Sequence, residues 1–143
     1  MRLLYGHDEI VARFVQDNLK DQAFHNYSAI GVLDNDMMVA GVVYSNWLAT
    51  AGVVEMSVFA ATPRWFSRRT LKELLSWPFD GLGCQMIVLR VSEKNTRMCR
   101  LADGVGFTAH RIPRLLGRDE DCIVYTLTTE DWSASRFMRS EHG

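Results

Sequence analysis

The sequence has few of the residue patterns that mark metal centres, disulfide frameworks or well-known catalytic motifs. Among its 143 residues are three cysteines and four histidines. Cys84, Cys99 and Cys122 have no Cys-x-x-Cys spacing, and no two histidines have metal-ligand spacing, so we expect no bound metal. An odd number of cysteines is typical of thiols that pack as small hydrophobic residues in a reducing cytosol. No P-loop, dinucleotide fingerprint or Ser-His-Asp arrangement is present.

Long apolar runs and an excess of one charge are also missing. No stretch approaches the roughly eighteen apolar residues of a membrane-spanning helix, and the first residues lack the pattern of a secretory signal. Lys and Arg number 16 against 17 Asp and Glu, a formal net charge of −1. This balance gives no general attraction to nucleic acid or anionic lipid. We therefore expect a cytoplasmic protein that binds neither nucleic acid nor membrane.

The hydrophobic periodicity predicts an α/β (α+β) fold with a mixed sheet and the element order β-α-β-β-β-α-β-α-β-β. Hydrophobic residues make up 48% of the chain and charged residues 23%, as in ordinary globular domains. We expect a single domain over residues 1–132 and a polar C-terminal tail at 133–143. The expected helices are at about 8–20, from Pro63 to about 78–81 and at 95–103. The expected strands are at 2–5, 29–33, 37–44, 52–59, 86–91, 107–112 and 122–128. A loop or a short helical turn is expected at 21–28, a tight hairpin turn at 34–36 and a charged connection at 113–121.

The C-terminal half carries the most distinctive pattern. An apolar strand at 86–91 is followed by Asn95, whose side chain suits a helix N-cap. A short helix then leads to a Gly-Phe step at 106–107. The last strand ends in Tyr-x-Leu-Thr-x-x-x-Trp at 125–132. This order resembles the GNAT superfamily, the acyl-CoA N-acyltransferases, and its ending resembles the ribosomal-protein and amino-group acetyltransferase branch.

The resemblance covers about residues 29–132 and implies both an architecture and a reaction. It implies a mixed, mostly antiparallel sheet of six to seven strands, flanked by three to four helices. Acyl-CoA would lie where the fourth strand splays from the fifth. Acetyl-CoA would serve as co-substrate, and its acetyl group would pass to a primary amine by direct attack. Dimers are common in the family, which allows a homodimer here.

The resemblance assigns the pantetheine arm of the co-substrate to the backbone of the fourth strand. In this chain those residues are Val58, Phe59 and Ala60. Family members use an asparagine at the position of Asn95 either near the pantetheine amide or to hold the splayed strand. As an N-cap, Asn95 would satisfy first-turn amides without any ligand. Capping and ligand contact can coexist.

The pyrophosphate would lie at the N-terminus of the following helix, where unpaired N–H groups and the helix dipole attract an anion. Family members usually supply a Gln/Arg-x-x-Gly-x-Gly/Ala turn there. Here the segment 62–70 has no glycine and is about three residues short, and the bulky side chains at 65–66 could obstruct the approach. Ser67, Arg68 and Arg69 could bind the anion instead. Alternatively, the arginines form a solvated helix face.

Glu55 is the candidate general base, because many family members carry a mid-strand carboxylate there that accepts the amine proton directly or through water. The alternative is a surface carboxylate. Asn46 and Trp47 end the third strand, where family members contact the acceptor; they could equally anchor a loop. The tyrosine that protonates the leaving thiolate in many members is replaced by Ala102.

Two hypotheses follow for the function. The first is a GNAT-type N-acetyltransferase. The second is a catalytically inactive module of the same fold, as in some phage proteins, which the missing glycines and the missing thiolate acid favour. Cys99 and Tyr125 are the remaining candidates for a proton donor. An exposed apolar patch involving Trp47, Trp65 or Trp77 would favour partner binding.

Overall fold

The computed structural model describes residues 1–19, 24–62 and 67–139. Contacts between Cα atoms group the chain into an N-terminal unit, Met1–Cys84, and a C-terminal unit, Gln85–Gly143. The single domain expected over residues 1–132 stays a prediction. No helix among the described segments has both the length and the apolar character that crossing a membrane requires.

The N-terminal unit is an antiparallel arrangement of four strands with two α-helices. The elements are β1 (Arg2–Leu4), α1 (Asp8–Asn18), β2 (Ser28–Asp34), β3 (Met37–Leu48), β4 (Val53–Ala60), α2 (Arg68–Ser76) and a π-helical segment (Trp77–Leu82). The strands pair in the order β1-β2-β3-β4. The expected helix start at Pro63 lies outside the described residues, and so does the first part, 21–23, of the segment expected at 21–28.

The tight turn between β2 and β3 confirms the hairpin expected from the sequence. Asn35 and Asp36 both have positive φ, +51° and +66°. Two-residue hairpin turns of this hand match the twist of the strands, and Asn and Asp tolerate the left-handed conformation better than most residues. The turn sets the first pairs of β2 with β3, and the register shifts once beyond it, because Leu33 pairs with Met38 but Val32 pairs with Ala40.

One face of this sheet packs against α1 through an unusually close approach. Val11 and Val15 are fully buried and contact the sheet next to Val43. A methyl group built on Gly41 would lie 2.7 Å from Val15 Cγ2 and 3.1 Å from Val11 Cγ1. Only a residue without a side chain fits there, so Gly41 sets the distance between α1 and β3.

The alternate face of β3 anchors α2. Tyr44 is buried, and its hydroxyl donates a hydrogen bond to the Leu74 carbonyl at 2.5 Å. Its ring lies 4.7 Å from that of Trp77. Burial raises the pKa of Tyr44 well above its ordinary value, with a smaller effect from Tyr5. The phenol therefore stays neutral and keeps α2 tied to the strand.

The C-terminal unit contains three strands and three helices. Its elements are β5 (Met86–Ser92), α3 (Thr96–Val105), β6 (Thr108–Gly117), β7 (Glu120–Thr128), α4 (Thr129–Ser133) and α5 (Arg136–Arg139). The strands lie in the order β5-β7-β6, with β7 antiparallel to both neighbours. All ten residues of β6 are exposed.

The β6–β7 hairpin differs from the expected connection at 113–121. Ile112 pairs with Cys122 and Gly117 with Glu120, so β6 carries three more residues than β7 between these pairs. The extra residues form a bulge in which Arg114 has a φ of +63°. The Asp121 carboxylate accepts the Arg114 N–H at 3.1 Å. This hydrogen bond joins the bulge of β6 to β7, and the two strands pair again beyond it at Gly117 and Glu120. Periodicity in the sequence does not reveal such a bond.

Further boundaries differ from expectation. Strand β3 continues to Leu48 beyond the expected end at 44. Helix α3 ends at Val105 rather than at 103, because the left-handed C-cap residue is Gly106, with a φ of +110°. In the stretch expected to be a polar tail, 136–139 is helical. Phe137 is buried, and its ring stacks on Trp132 at 5.9 Å. Residues 140–143 lie outside the described part.

The fit of α1 against β3 yields a stability prediction. Gly41→Ala should destabilise the protein by about 1–3 kcal/mol, because the added methyl meets two stiff valines. Urea unfolding measures the change. Gly104→Ala is the matched control, since a methyl there meets nothing nearer than Arg136 Nη2 at 3.9 Å. This control should be neutral or slightly stabilising within α3. Equal stability of Gly41→Ala and the wild type would contradict the close packing.

Candidate active site

The end of β3 next to Glu55 departs from regular strand geometry. Ser45 pairs with Glu55, and Leu48 pairs with Val53. Two residues of β3, Asn46 and Trp47, therefore lie opposite a single residue of β4. This is a β-bulge, which bends a strand and redirects a side chain. Asn46 has a φ of +53°, in the left-handed region.

The bulge brings together two of the residues that the sequence analysis singles out. The Asn46 Nδ2 group donates a hydrogen bond to Glu55 Oε2 at 3.2 Å. Glu55 is half-buried and Asn46 is exposed. The sequence predicts that Asn46 contacts the acceptor or anchors a loop, and it does not predict this contact with Glu55. The only signal for it was an asparagine near a strand end, since asparagine favours left-handed backbone.

The remaining candidates on β4 lie at the far end of the strand from Glu55. Val58, Phe59 and Ala60 are half-buried, and they pair with residues 40–42 of β3. The Phe59 ring packs edge-on against Phe14 of α1, with the centroids 5.5 Å apart. The assignment of these three residues to pantetheine stays a prediction.

The start of α2 is capped by its own side chains. Ser67 is the N-cap, and its hydroxyl accepts the Thr70 N–H at 3.2 Å. In return, the Thr70 hydroxyl accepts the Ser67 N–H at 2.7 Å. This reciprocal capping box satisfies two backbone donors at the helix start. The Ser67 hydroxyl therefore has an internal partner, and its assignment to a phosphate group stays a prediction.

The charge at the start of α2 is opposite to what the helix dipole favours. Its first turn has no acidic residue and begins with Arg68 and Arg69. In contrast, α1 and α4 both have two acidic residues in the first turn, while α3 and α5, like α2, have none. Cations near a helix N-terminus are disfavoured by a few tenths of a kcal/mol or more. An anion bound at the start of α2 would interact favourably with both the arginines and the helix dipole.

Arg69 is nevertheless partly neutralised by a neighbour on the same helix. Its Nε atom lies 3.7 Å from Glu73 Oε1, one turn further on. The Arg69 side chain is 89% exposed, so this pair contributes little. The guanidinium can therefore turn to a stronger anionic partner at small cost.

In the C-terminal unit, Asn95 is the N-cap of α3, as expected from the sequence. Its Oδ1 atom accepts the Met98 N–H at 3.2 Å. A contact between Asn95 and a ligand stays a prediction. The segment that carries Asn95 is tied to β7, because the Glu93 N–H donates to the Asp121 carbonyl at 3.1 Å. Arg111 adds a second tie, with Nη1 at 2.7 Å from Glu93 Oε2 and 2.8 Å from Asp121 Oδ2.

The two remaining proton-donor candidates contact each other. The Tyr125 hydroxyl donates to the backbone carbonyl of Cys99 at 3.4 Å, and the tyrosine is buried. Burial, with further contributions from Cys99 and Asp103, raises the pKa of Tyr125 far above its ordinary value. A phenol held in this way is a weak acid and has a partner on α3. It is therefore a poor substitute for the tyrosine that Ala102 replaces.

Solved structures with the same fold include several acetyltransferases. A spermidine N-acetyltransferase SpeG variant from Vibrio cholerae matches 92% of this chain and 97% of its own, with 15% identity and a TM-score of 0.75. A dodecameric form of that organism's spermidine N-acetyltransferase matches 92% and 94%, with 14% identity and a TM-score of 0.74. A probable acetyltransferase matches 87% of each chain, with 13% identity and a TM-score of 0.67.

These likenesses show that the chain has the GNAT fold, an α/β fold with a mixed, mostly antiparallel sheet flanked by helices. The fold class expected from the sequence is confirmed. No protein-family model matches the sequence, and no curated protein matches it at a significant level. At this identity the likeness extends to the fold alone.

The hydrogen bonds and the ion pair of the Asp121 carboxylate predict that stability depends on pH. The Arg114 N–H and the Arg111 guanidinium hold the pKa of Asp121 below its ordinary value of 3.8. Because the pKa is lower in the folded state, Asp121 stabilises the fold above pH 3.8. That contribution is lost as the pH falls through the lower folded value. Asp121→Asn should therefore lower the melting temperature at pH 7, and the difference from the wild type should shrink at about pH 3.

Thermal unfolding at the two pH values checks this prediction. Asp119→Asn is the matched control, because Asp119 is exposed in the same hairpin. A melting temperature of Asp121→Asn equal to that of the wild type at pH 7 would rule out the stabilising role.

Proposed function

We propose that the protein is an N-acetyltransferase, which transfers the acetyl group of acetyl-CoA to a primary amine. The observation that carries the proposal is the Glu55 carboxylate, which lies half-buried on β4 of a GNAT fold and accepts a hydrogen bond from Asn46. A carboxylate fixed in the middle of a sheet has a defined direction. Direction is what a general base needs in order to meet the proton that it accepts.

The proposed reaction is a direct attack. The nitrogen of the neutral amine bonds to the thioester carbonyl carbon, and the carbon–sulfur bond breaks as the tetrahedral intermediate collapses. The amine proton passes to Glu55, directly or through a water molecule, and the sulfur leaves as a thiolate that takes a proton from solvent. The products are an acetamide and CoA. Backbone N–H groups of β4 would polarise the carbonyl, in the manner of an oxyanion hole.

The cationic start of α2 supports binding of the CoA pyrophosphate. Arg68 and Arg69 stand in a first turn that carries no acidic residue, and an anion there would gain from both the guanidinium groups and the helix dipole. In this proposal the arginines supply the attraction that a glycine-rich turn provides through its backbone.

The acceptor in this proposal is a small or protein-borne primary amine. Two of the structural neighbours named above are spermidine N-acetyltransferases, which makes spermidine the first acceptor to test. A cationic polyamine also matches the negative charge of Glu55. The proposal further includes a cytoplasmic location and a homodimer.

A catalytically inactive binding module is the second candidate. The exposure of β6 along its whole length favours it, since Ile112, Leu115 and Leu116 are 40–46% exposed. Of the tryptophans considered for an apolar patch, Trp77 packs on Tyr44 and Trp47 is half-buried, while Trp65 lies outside the described residues. Acetyl-CoA binding separates the two candidates.

The first test is acetyl-CoA affinity, measured by calorimetry. The double variant Arg68→Ala/Arg69→Ala should raise the dissociation constant about tenfold or more, because charge-assisted hydrogen bonds to the pyrophosphate are lost. The two substitutions should weaken acetyl-CoA binding far more than they weaken folding, which thermal unfolding measures. Arg100→Ala/Arg118→Ala removes the same charge from exposed positions elsewhere and should leave the affinity unchanged. Absence of wild-type binding at millimolar acetyl-CoA would support the inactive module.

The second test concerns Glu55. Glu55→Gln should lower kcat with spermidine or another accepted amine by about 10²–10⁴-fold, because general-base catalysis typically contributes that much. Acetyl-CoA affinity should be retained, since the substitution keeps the size of the side chain. Thiol release, followed with a chromogenic disulfide, gives the rate. Glu9→Gln, at an exposed carboxylate on α1, is the control. A Glu55→Gln enzyme as fast as the wild type would remove Glu55 from the mechanism.

A further inference from the structure

In the bulge at the end of β3, an asparagine occupies a backbone conformation that glycine adopts more easily. Asn46 occupies the left-handed region with a φ of +53°. At this bulge Asn46 and Trp47 of β3 lie opposite a single residue of β4. Bulges with a left-handed first residue usually have glycine there, because glycine adopts this conformation without strain. An asparagine at the same position keeps a side chain, at the expense of some backbone strain.

The retained side chain has a defined partner. Asn46 Nδ2 donates to Glu55 Oε2 at 3.2 Å, between residues nine apart in sequence. The left-handed backbone directs the Asn46 amide across the strand pair, where Ser45 of β3 lies opposite Glu55. In a regular strand, consecutive side chains would alternate between the two faces. The bulge breaks this alternation, and only for that reason does the residue after Ser45 reach the carboxylate.

We infer that Asn46 is a positioning residue for Glu55, rather than a residue that binds the acceptor. This inference rests on the proposed transferase function and names a further residue on which its rate depends. The amide fixes one carboxylate oxygen, and with it the rotation of the whole group about its last side-chain bond. A base that is held in one orientation loses less freedom when the amine arrives, so the contact acts on kcat.

Asn46→Gly isolates this role, because glycine accepts the left-handed backbone and removes only the side chain. Stability should stay equal to that of the wild type or rise slightly. We expect kcat to fall about tenfold, while KM for the amine and for acetyl-CoA changes less than about twofold. A purely structural role for Asn46 would not produce this separation of kcat from KM.

Two further variants sharpen the test. Asn35→Gly makes the same replacement at another left-handed asparagine, with a φ of +51° in the β2–β3 turn, and should leave both kinetic constants unchanged. Asn46→Asp tolerates the left-handed backbone but cannot donate a hydrogen bond to a carboxylate. Its kcat should fall at least as far as that of Asn46→Gly.

A measurement without catalysis tests the contact itself. In two-dimensional amide NMR spectra, the side-chain amide signals of Asn46 should shift in Glu55→Ala and stay in place in Glu9→Ala. If the wild type acetylates an amine and Asn46→Gly has the same kcat, the positioning role is overturned and the transferase proposal stands. Unmoved Asn46 signals in Glu55→Ala would overturn the positioning role independently of activity. If the wild type acetylates no amine, both proposals fail together.

Discussion

The antiparallel pairing of β3 with β4 is the constraint on which the N-terminal unit depends. Its register decides the face of every side chain on both strands. One face receives Gly41 and Val43, and α1 packs closely on it. The other face receives Tyr44, whose hydroxyl holds α2. The same register places Glu55 opposite Ser45, beside the bulge. A slip of one residue would exchange these faces and separate Glu55 from Asn46.

Much of the fold followed from the sequence because its signals are local. Alternation and turn chemistry predicted the hairpin at Asn35, and the N-cap at Asn95 followed from the side-chain preference of helix starts. The bulge of β6 was missed because its main contact, between Arg114 and Asp121, joins two strands. Phe137 was missed because two adjacent apolar residues, Phe137 and Met138, in a polar stretch show no period.

The candidate site was predicted less completely, for a related reason. A family resemblance pointed to Glu55 and to the start of α2, but the contact between Asn46 and Glu55 depends on the backbone conformation of a single residue. Periodicity assumes regular strands, so it cannot place a side chain that a bulge redirects. Similarly, a serine before a helix suits both an anion and a cap, and only coordinates reveal the bond between Ser67 and Thr70.

Two departures from local preference in the N-terminal unit lie at candidate functional positions. The left-handed Asn35 belongs to a turn that needs its conformation, whereas glycine would serve the bulge at Asn46 with less strain. Helices α1 and α4 have acidic residues in the first turn and α3 and α5 have none, whereas α2 begins with two adjacent arginines, Arg68 and Arg69. Natural sequences depart from local preference mainly where function requires it. The two departures fall beside Glu55 and at the start of α2, the two places on which the proposed acyl transfer depends.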